Sequence, residues 1–186
     1  MTKQAVCFFS LLALALATTA VAQTKTLQTT VRDIDWMNRT YEVKTGAFSG
    51  ESTIVKFPVK KGQYDTPPSS EDEYHFSVGS VSFGDLNSDG KEEVLVVASL
   101  SYGGNAGDIL ALVYTINTKG ELLPLLDVPS EYDGGAALEA GSLWLSRFVW
   151  AEDDPRGWPS QTIKDQWSWN GKKWVKLQSI TIKNKK

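Results

Sequence analysis

The chain has 186 residues, of which 41% are hydrophobic and 22% charged, and its formal net charge is −3. This length allows one or two ordinary domains. A mildly acidic balance without a basic block argues against nucleic-acid binding, which depends on clustered lysine and arginine. The chain has a single cysteine, Cys7, so it cannot contain an internal disulfide.

The N-terminus has the composition of a secretory signal peptide. Lys3 gives a positive start, residues 5–17 form an uncharged apolar run, and alanines stand at positions 20 and 22, where signal peptidase reads small side chains. The apolar run is shorter than the roughly 20 residues that a transmembrane helix needs. We therefore predict a cleaved signal peptide at 1–22, export to the periplasm or the medium, and no membrane span after cleavage.

Cleavage would leave residues 23–186 without any cysteine and with a formal charge of −4, because the removed segment contains Lys3 and no acidic residue. A secreted domain without disulfides depends on core burial or on a bound ion. We divide the exported part into a linker at 23–30, one β domain at 31–182 and a basic tail at 183–186.

Alternation of apolar and polar residues with a period of two dominates the exported part. It predicts an all-β fold: a single, mostly antiparallel domain of the sandwich or meander type. Only residues 27–34 have helical spacing, so we expect at most one short N-terminal helix. Strands are predicted at 40–44 and 53–59. Alternation resumes at 74–83 with a change of parity, which a β-bulge at Gly79 would absorb.

Two runs, 94–100 and 109–116, are apolar at both odd and even positions, as expected for central strands that are buried on both faces. The loop at 101–108 is too short for a crossover helix, so we predict that these strands are antiparallel neighbours. Residues 121–128 follow and contain a proline, which is typical of an edge strand. Another strand is predicted at 143–150.

The last predicted element is a tryptophan-rich hairpin. Two alternating segments flank Asn170-Gly171, a dipeptide that favours a two-residue type I′ turn. A loop of two residues would place Trp167 opposite Trp174 and Asp165 opposite Lys176. Both are favourable cross-strand pairs.

Residues 85–93 have the spacing of a calcium-binding loop. Ca²⁺ takes six to eight oxygen ligands, and Gly90 allows the sharp turn that wraps the chain around the ion. We predict a structural Ca²⁺ here; the alternative is a turn rich in Asp and Asn that binds nothing. The predicted ligands are Asp85, Asn87, Asp89, the backbone carbonyl of Lys91, and Glu93.

With Phe83-Gly84 before it and residues 94–97 after it, this loop resembles the FG-GAP and VCBS type calcium hairpins of integrin α-chain propellers. An EF-hand is excluded, since its twelfth position requires Glu and here Val96 stands inside a predicted strand. A propeller needs at least four blades, whereas this motif occurs once. The resemblance thus implies a calcium hairpin, with Glu93 where the family more usually has Asp.

A wider likeness covers most of the exported part. Residues 38–41, 78–87 and 133–135, followed by the tryptophan-rich hairpin, are similar to small secreted bacterial proteins of unassigned function that carry one such loop. This resemblance implies a fold and supplies no catalytic residues.

Six of the seven tryptophans lie between Trp144 and Trp174. We expect four of them to fill the packed face of the sheet, and Trp158, which stands between turn residues beside carboxylates, to be exposed. The only histidine, His75, is expected to point outward from a strand rather than to act as a catalytic base. The packed tryptophans would be Trp144, Trp167, Trp169 and Trp174. The possible ligand surface comprises Trp158, Asp153, Asp154, Tyr102 and Asn105.

These features predict an exported, non-enzymatic binding or accessory protein, whose partner is an unknown protein or glycan of the cell envelope. The alternative is an envelope hydrolase that acts on glycans through two carboxylates beside Trp158, drawn from Glu152, Asp153 and Asp154. No catalytic residue is assigned.

Overall fold

The computed structural model is all-β, with three antiparallel sheets in the part that it describes, which confirms the predicted fold class. The predicted signal peptide and Asn105 lie outside that part. No helix among the described residues is long and apolar enough to cross a membrane. The described residues are 30–45, 53–67, 73–102, 107–127, 133–155 and 157–184.

Within the described ranges, eleven strands pair with their neighbours in three groups. One sheet is the β1–β2 hairpin, the second has the order β3-β4-β5-β6-β7, and the third has the order β11-β10-β9-β8. The strands are β1 (Thr40–Thr45), β2 (Thr53–Pro58), β3 (Gln63–Asp65), β4 (His75–Gly84), β5 (Glu93–Ser101), β6 (Gly107–Ile116), β7 (Leu122–Asp127), β8 (Gly135–Glu139), β9 (Ser142–Val149), β10 (Gln161–Trp169) and β11 (Trp174–Lys183). As predicted, Pro124 lies in an edge strand.

The five-stranded sheet is the middle layer. Its central strands β5 and β6 are antiparallel neighbours, as predicted. Val94 and Val96 pack into a core shared with the β1–β2 hairpin, whereas Leu95 and Val113 pack into a second core shared with the four-stranded sheet. Burial on both faces explains why these two strands are apolar at nearly every position.

The hairpin layer is held to the middle sheet by aromatic contacts. Phe57 of β2 stacks on Phe76 of β4, with ring centroids 4.9 Å apart. Before the hairpin, the chain makes a single 3₁₀ turn at Val31–Asp33, capped by Thr30. The helical spacing predicted for 27–34 therefore produces only this turn among the described residues, because Ile34 is already extended.

The predicted bulge in β4 is confirmed. The pairing of β4 with β5 shifts between Val78 and Ser80, which leaves Gly79 without a partner in the register. Val81 and Phe83 therefore stay on the same face as Val78 and pack against the same core. The extra residue corrects the parity of the strand.

The predicted register of the last hairpin is wrong. Its loop has four residues, because the side-chain oxygen of Asn170 accepts hydrogen bonds from the backbone amides of both lysines that follow the glycine. A type I′ turn needs two positive φ angles, and here only the glycine has one. Pairing therefore begins with Trp169 opposite Trp174, and Trp167 lies opposite Lys176.

A bulge after Gln166 shifts the register of this hairpin further, so Asp165 lies opposite Ser179. The side chains predicted to pair still meet, because the ammonium of Lys176 lies 3.4 Å from the buried carboxylate of Asp165. The predicted contact survives, although the predicted register does not.

Three of the four tryptophans assigned to packing do pack between the sheets: Trp167, Trp169 and Trp174. Trp144 is the exception, and its assignment to the packed face is wrong. It alternates in β9 with Leu143 and Leu145, both of which are buried in the core between the sheets. Because successive side chains of a strand point to opposite faces, Trp144 lies on the other face.

Replacing Leu95 with alanine tests the double burial of β5. We expect the free energy of unfolding to fall by about 2–5 kcal/mol, since the substitution leaves a cavity between two sheets. Ser99→Ala, at an exposed position of the same strand, should change it by less than about 0.5 kcal/mol. Urea denaturation measures both, and equal losses would contradict this placement of the strand.

Candidate functional site

The predicted calcium loop connects β4 to β5 and turns tightly upon itself. Two of its residues have positive φ angles, Ser88 at 61° and Gly90 at 83°. A side chain at Gly90 would meet nothing within 4 Å, so glycine is required there by the backbone angle and not by crowding.

Three of the predicted ligands fold their side chains over the tip of the loop. The carboxylate of Asp85 accepts hydrogen bonds from the backbone amides of Asp89 and Gly90, at 3.1 and 3.0 Å. Asn87 accepts from the amide of Asp89 at 2.9 Å, and Asp89 accepts from that of Lys91 at 2.9 Å. Each carboxylate oxygen keeps a second lone pair for another donor or an ion.

Glu93, the fifth predicted ligand, is placed differently. Its side chain is 0% exposed. One carboxylate oxygen accepts from the backbone amides of Leu86 and Asn87, at 2.8 and 3.2 Å. The other accepts from the side-chain amide of Asn87 at 3.0 Å and from the hydroxyl of Thr115 at 3.1 Å. Glu93 thus ties the start of the loop to β6.

The environment of Glu93 has opposing effects on its ionisation. Burial raises the pKa of the Glu93 carboxyl above its ordinary value, and the hydrogen bonds from Leu86, Thr115 and Asn87 offset only part of that increase. These donors satisfy a charge that would otherwise be costly to bury. Sequence reasoning identified Glu93 as chemically special, but its partners lie up to 22 residues away.

The donor set at the loop tip suits Ca²⁺, because it combines two carboxylates with an amide oxygen and a backbone carbonyl. Asp85, Asp89 and Lys91 are exposed, so an ion can reach them. Among the described residues no three acidic, histidine or cysteine side chains converge as a metal site. To act as a ligand, Glu93 would have to release hydrogen bonds, and its role in the shell stays a prediction.

The ion pair between Arg32 and Glu92, beside the loop, was not predicted from the sequence. Arg32, in the 3₁₀ turn, makes two hydrogen bonds to the carboxylate of Glu92, at 2.5 and 2.7 Å, and lies over the ring of Phe83. The hydrogen bond from Arg32 lowers the pKa of Glu92. The partners are 60 residues apart, and no local pattern marks the pair.

A cleft of about 260 Å³ opens beside this ion pair. Pockets that enclose small molecules usually have volumes of roughly 300–1,000 Å³. We therefore assign no ligand to this cleft. It is lined by Thr30, Val31, Gly90, Lys91, Glu92 and Ile116.

The loop between β9 and β10 contains the second group of predicted site residues. Asp154 closes the base of this loop, since one of its oxygens accepts from the backbone amides of Ala151 and Ser160, each at 2.7 Å. As predicted, Trp158 is exposed, with 68% of its surface accessible, and Trp150 has 48%. Asp154 is therefore a structural residue of the loop.

The other predicted surface residues do not form one cluster with Trp158. Glu152 and Asp153 are exposed in the same loop. Tyr102 packs instead against Tyr74 and the core under the β1–β2 hairpin, and its hydroxyl donates to Asp108 at 2.8 Å. Burial, followed by the contact with Asp108, raises the pKa of Tyr102.

His75 points outward from β4, as predicted. It is exposed, and its Nδ1 lies 2.6 Å from the carboxylate of Asp65, which is opposite in β3. An exposed pair of this kind fits a surface contact between neighbouring strands.

Compared with known proteins, the chain matches no family model, no curated protein and no solved structure. The similarity to FG-GAP and VCBS hairpins therefore rests on the motif alone. Function has to be inferred from the geometry of the two loops.

Glu93→Gln tests the closing role of this side chain. An amide group cannot accept from all four donors, so we expect the free energy of unfolding to fall by about 1–3 kcal/mol. Glu92→Gln, which alters the exposed neighbour paired with Arg32, should have a clearly smaller effect. Chemical denaturation in EDTA separates the effect from any bound ion, and equal losses would contradict the assignment.

Proposed function

We propose that the chain is an exported, non-enzymatic binding protein whose β9–β10 loop contacts the ligand. The observation that carries this proposal is the exposure of Trp158, at 68%, in a loop whose base is closed by the hydrogen bonds of Asp154. Binding residues are commonly found on loops held by a rigid scaffold.

An exposed indole adds little to folding, but it can bury a large apolar area against a partner. Tryptophan is correspondingly enriched among the residues that dominate binding energy. Trp150 and Phe148 are also exposed, and their spacing of two residues around the end of β9 places them on one face. Exposed aromatic side chains of this kind suit a partner that is a protein or glycan of the cell envelope.

The geometry favours binding over glycan hydrolysis. Glycosidases hold two carboxyl groups about 5–10 Å apart on either side of the scissile bond. Asp154 already accepts two backbone hydrogen bonds that close the loop. A hydrolase would then depend on Glu152 and Asp153, which are adjacent and both exposed.

Trp158→Ala tests the ligand surface. If the indole contacts the ligand, co-sedimentation with purified peptidoglycan or capture of an envelope protein should weaken about tenfold or more. Ile54→Ala is the matched control, since Ile54 is 66% exposed in β2, in a different sheet. Unchanged retention by Trp158→Ala would contradict the proposal.

The same preparation distinguishes binding from hydrolysis. We expect no release of reducing ends from the glycan. Release that disappears in a Glu152→Gln, Asp153→Asn double variant would favour the hydrolase instead. Asp154 is left unchanged, because its replacement would open the loop and confuse the result.

We further propose that the protein binds Ca²⁺ at the tip of the β4–β5 loop and that the ion stabilises the fold. The supporting features are the exposed oxygens of Asp85 and Asp89 and the turn at Gly90. Two carboxylates close together repel each other without a cation. A bound ion would relieve that repulsion in a domain that lacks disulfides.

Adding Ca²⁺ should therefore raise the thermal midpoint relative to EDTA. At about ten times the Kd, the expected gain in stability is roughly 1.4 kcal/mol. Asp89→Asn keeps an oxygen for the amide of Lys91 but removes one charge, so it should reduce the gain without lowering the midpoint in EDTA. Equal midpoints of the wild type in both buffers would contradict calcium binding.

Glu93→Gln in the same assay tests whether Glu93 belongs to the metal shell. If Glu93 only closes the loop, the variant should still gain stability from Ca²⁺, although it starts from a lower midpoint. Loss of the gain, with a folded protein, would identify Glu93 as a ligand.

A further inference from the structure

Arg39 occupies an aromatic cage on the hairpin side of the fold. Its guanidinium carbon lies 4.7 Å from the ring centroid of Trp36, 5.1 Å from that of Tyr41 and 5.3 Å from that of Tyr114. The side chain is only partly buried, so solvent reaches the cage. Cation–π contacts of this kind hold a guanidinium in a fixed position.

The cage itself is rigid. All three rings are buried. The indole nitrogen of Trp36 donates to the carbonyl of Val31 at 2.9 Å, and the hydroxyl of Tyr41 donates to the carbonyl of Trp36 at 2.6 Å. The position of Arg39 is therefore set before any ligand arrives.

The terminal nitrogens of Arg39 have no acceptor among the described residues. The side chain makes one long hydrogen bond, from Nε to the carbonyl of Thr40 at 3.4 Å, and takes part in none of the ion pairs of the described residues. The nearby carboxylate of Asp35 is not paired with Arg39. It accepts hydrogen bonds from the backbone amide of Met37 and from the side-chain amide of Asn38. A guanidinium whose terminal N–H groups have no protein acceptor can donate them to an anion from solution.

Two more cations lie in the adjoining turn. The backbone amide of Lys61 donates to the side chain of Asn38 at 2.8 Å, and that of Val59 donates to the carbonyl of Arg39 at 2.8 Å. These bonds place the backbone of the turn that contains Lys60 and Lys61 beside the segment that contains Arg39. Both lysines are exposed, and neither takes part in an ion pair within the described residues.

We propose that Arg39, together with Lys60 and Lys61, forms a binding site for a phosphate group. A planar guanidinium presents parallel N–H donors to two phosphate oxygens, and the flexible ammonium groups add charge around them. A phosphate offers more acceptor oxygens and more charge than a carboxylate, which matches three cations better. The site is separate from the proposed ligand loop.

Nuclear magnetic resonance titration of the folded protein tests this site, in EDTA and at constant ionic strength. Inorganic phosphate should shift the amide signals around Arg39 and the indole signal of Trp36, and acetate should shift them much less. Arg39→Lys keeps the charge but loses the paired donors, so phosphate affinity should fall about tenfold or more. Shifts of equal size with acetate, or equal affinity in the variant, would overturn the proposal.

Arg32→Lys is the matched control. Arg32 also lies over an aromatic ring, but its guanidinium is already bonded to Glu92, so phosphate affinity should not change. If Arg39→Lys does not fold, a Lys60→Ala, Lys61→Ala double variant at exposed positions serves instead, with an expected severalfold loss of affinity. An unchanged affinity in that variant would also overturn the proposal.

Two further titrations identify the source of the phosphate. A phosphate monoester that binds at least as well as inorganic phosphate would indicate a free metabolite or a terminal phosphate. Tighter binding of a soluble phosphodiester polymer would indicate a polymer backbone. Either result supports the site, and the absence of a response to all three probes would contradict it.

Discussion

The buried carboxylate of Glu93 is the constraint on which the middle of the structure depends. It is the first residue of the central strand β5, and it is on the same face of that strand as Leu95, which packs towards the four-stranded sheet. Its oxygens hold the start of the β4–β5 loop and the hydroxyl of Thr115 in β6. Four donors surround it and offset part of the cost of burying a carboxylate at this depth. The conformation of the loop and the position of β6 are therefore coupled through one side chain.

Acidic residues accordingly serve two different purposes in this protein. Glu93 and Asp165 are buried, and each links neighbouring strands of its own sheet through a hydrogen bond, to Thr115 of β6 and to Ser179 of β11. Asp85 and Asp89 lie at the exposed loop tip and remain open to a cation. The most exposed aromatic residue, Trp158, belongs to a different loop. Stabilisation and the proposed ligand contact therefore lie in separate segments of the chain.

The strands could largely be predicted from the sequence, because the two cores impose a simple parity on each strand. At Gly79, a change in the parity of the apolar residues predicted a β-bulge, and the register of β4 with β5 shifts at that residue. It failed at Asn170, whose side chain competes with the backbone for the amides of the loop and lengthens it to four residues. The assignment of Trp144 to the packed face also failed. The alternation of a strand divides its side chains between two faces, but it does not tell which of the two faces another sheet covers.

The candidate sites were predictable only where their residues are close in sequence. The spacing of Asp85, Asn87 and Asp89 is local, and their side chains do gather at one loop tip. The cage around Arg39 requires β6 to pack against the hairpin layer, so part of it comes from 75 positions later in the chain, at Tyr114. Such contacts depend on the tertiary packing and leave no local pattern.

Asp154 affects which substitutions the β9–β10 loop can tolerate. Because its carboxylate holds both ends of the β9–β10 loop together, the register of the two strands does not depend on the residues at the tip. The tip can therefore accumulate substitutions, or gain and lose residues, while the sheet beneath it stays intact. For the binding role proposed for this loop, a single carboxylate thus leaves ligand preference free to diverge without a loss of folding.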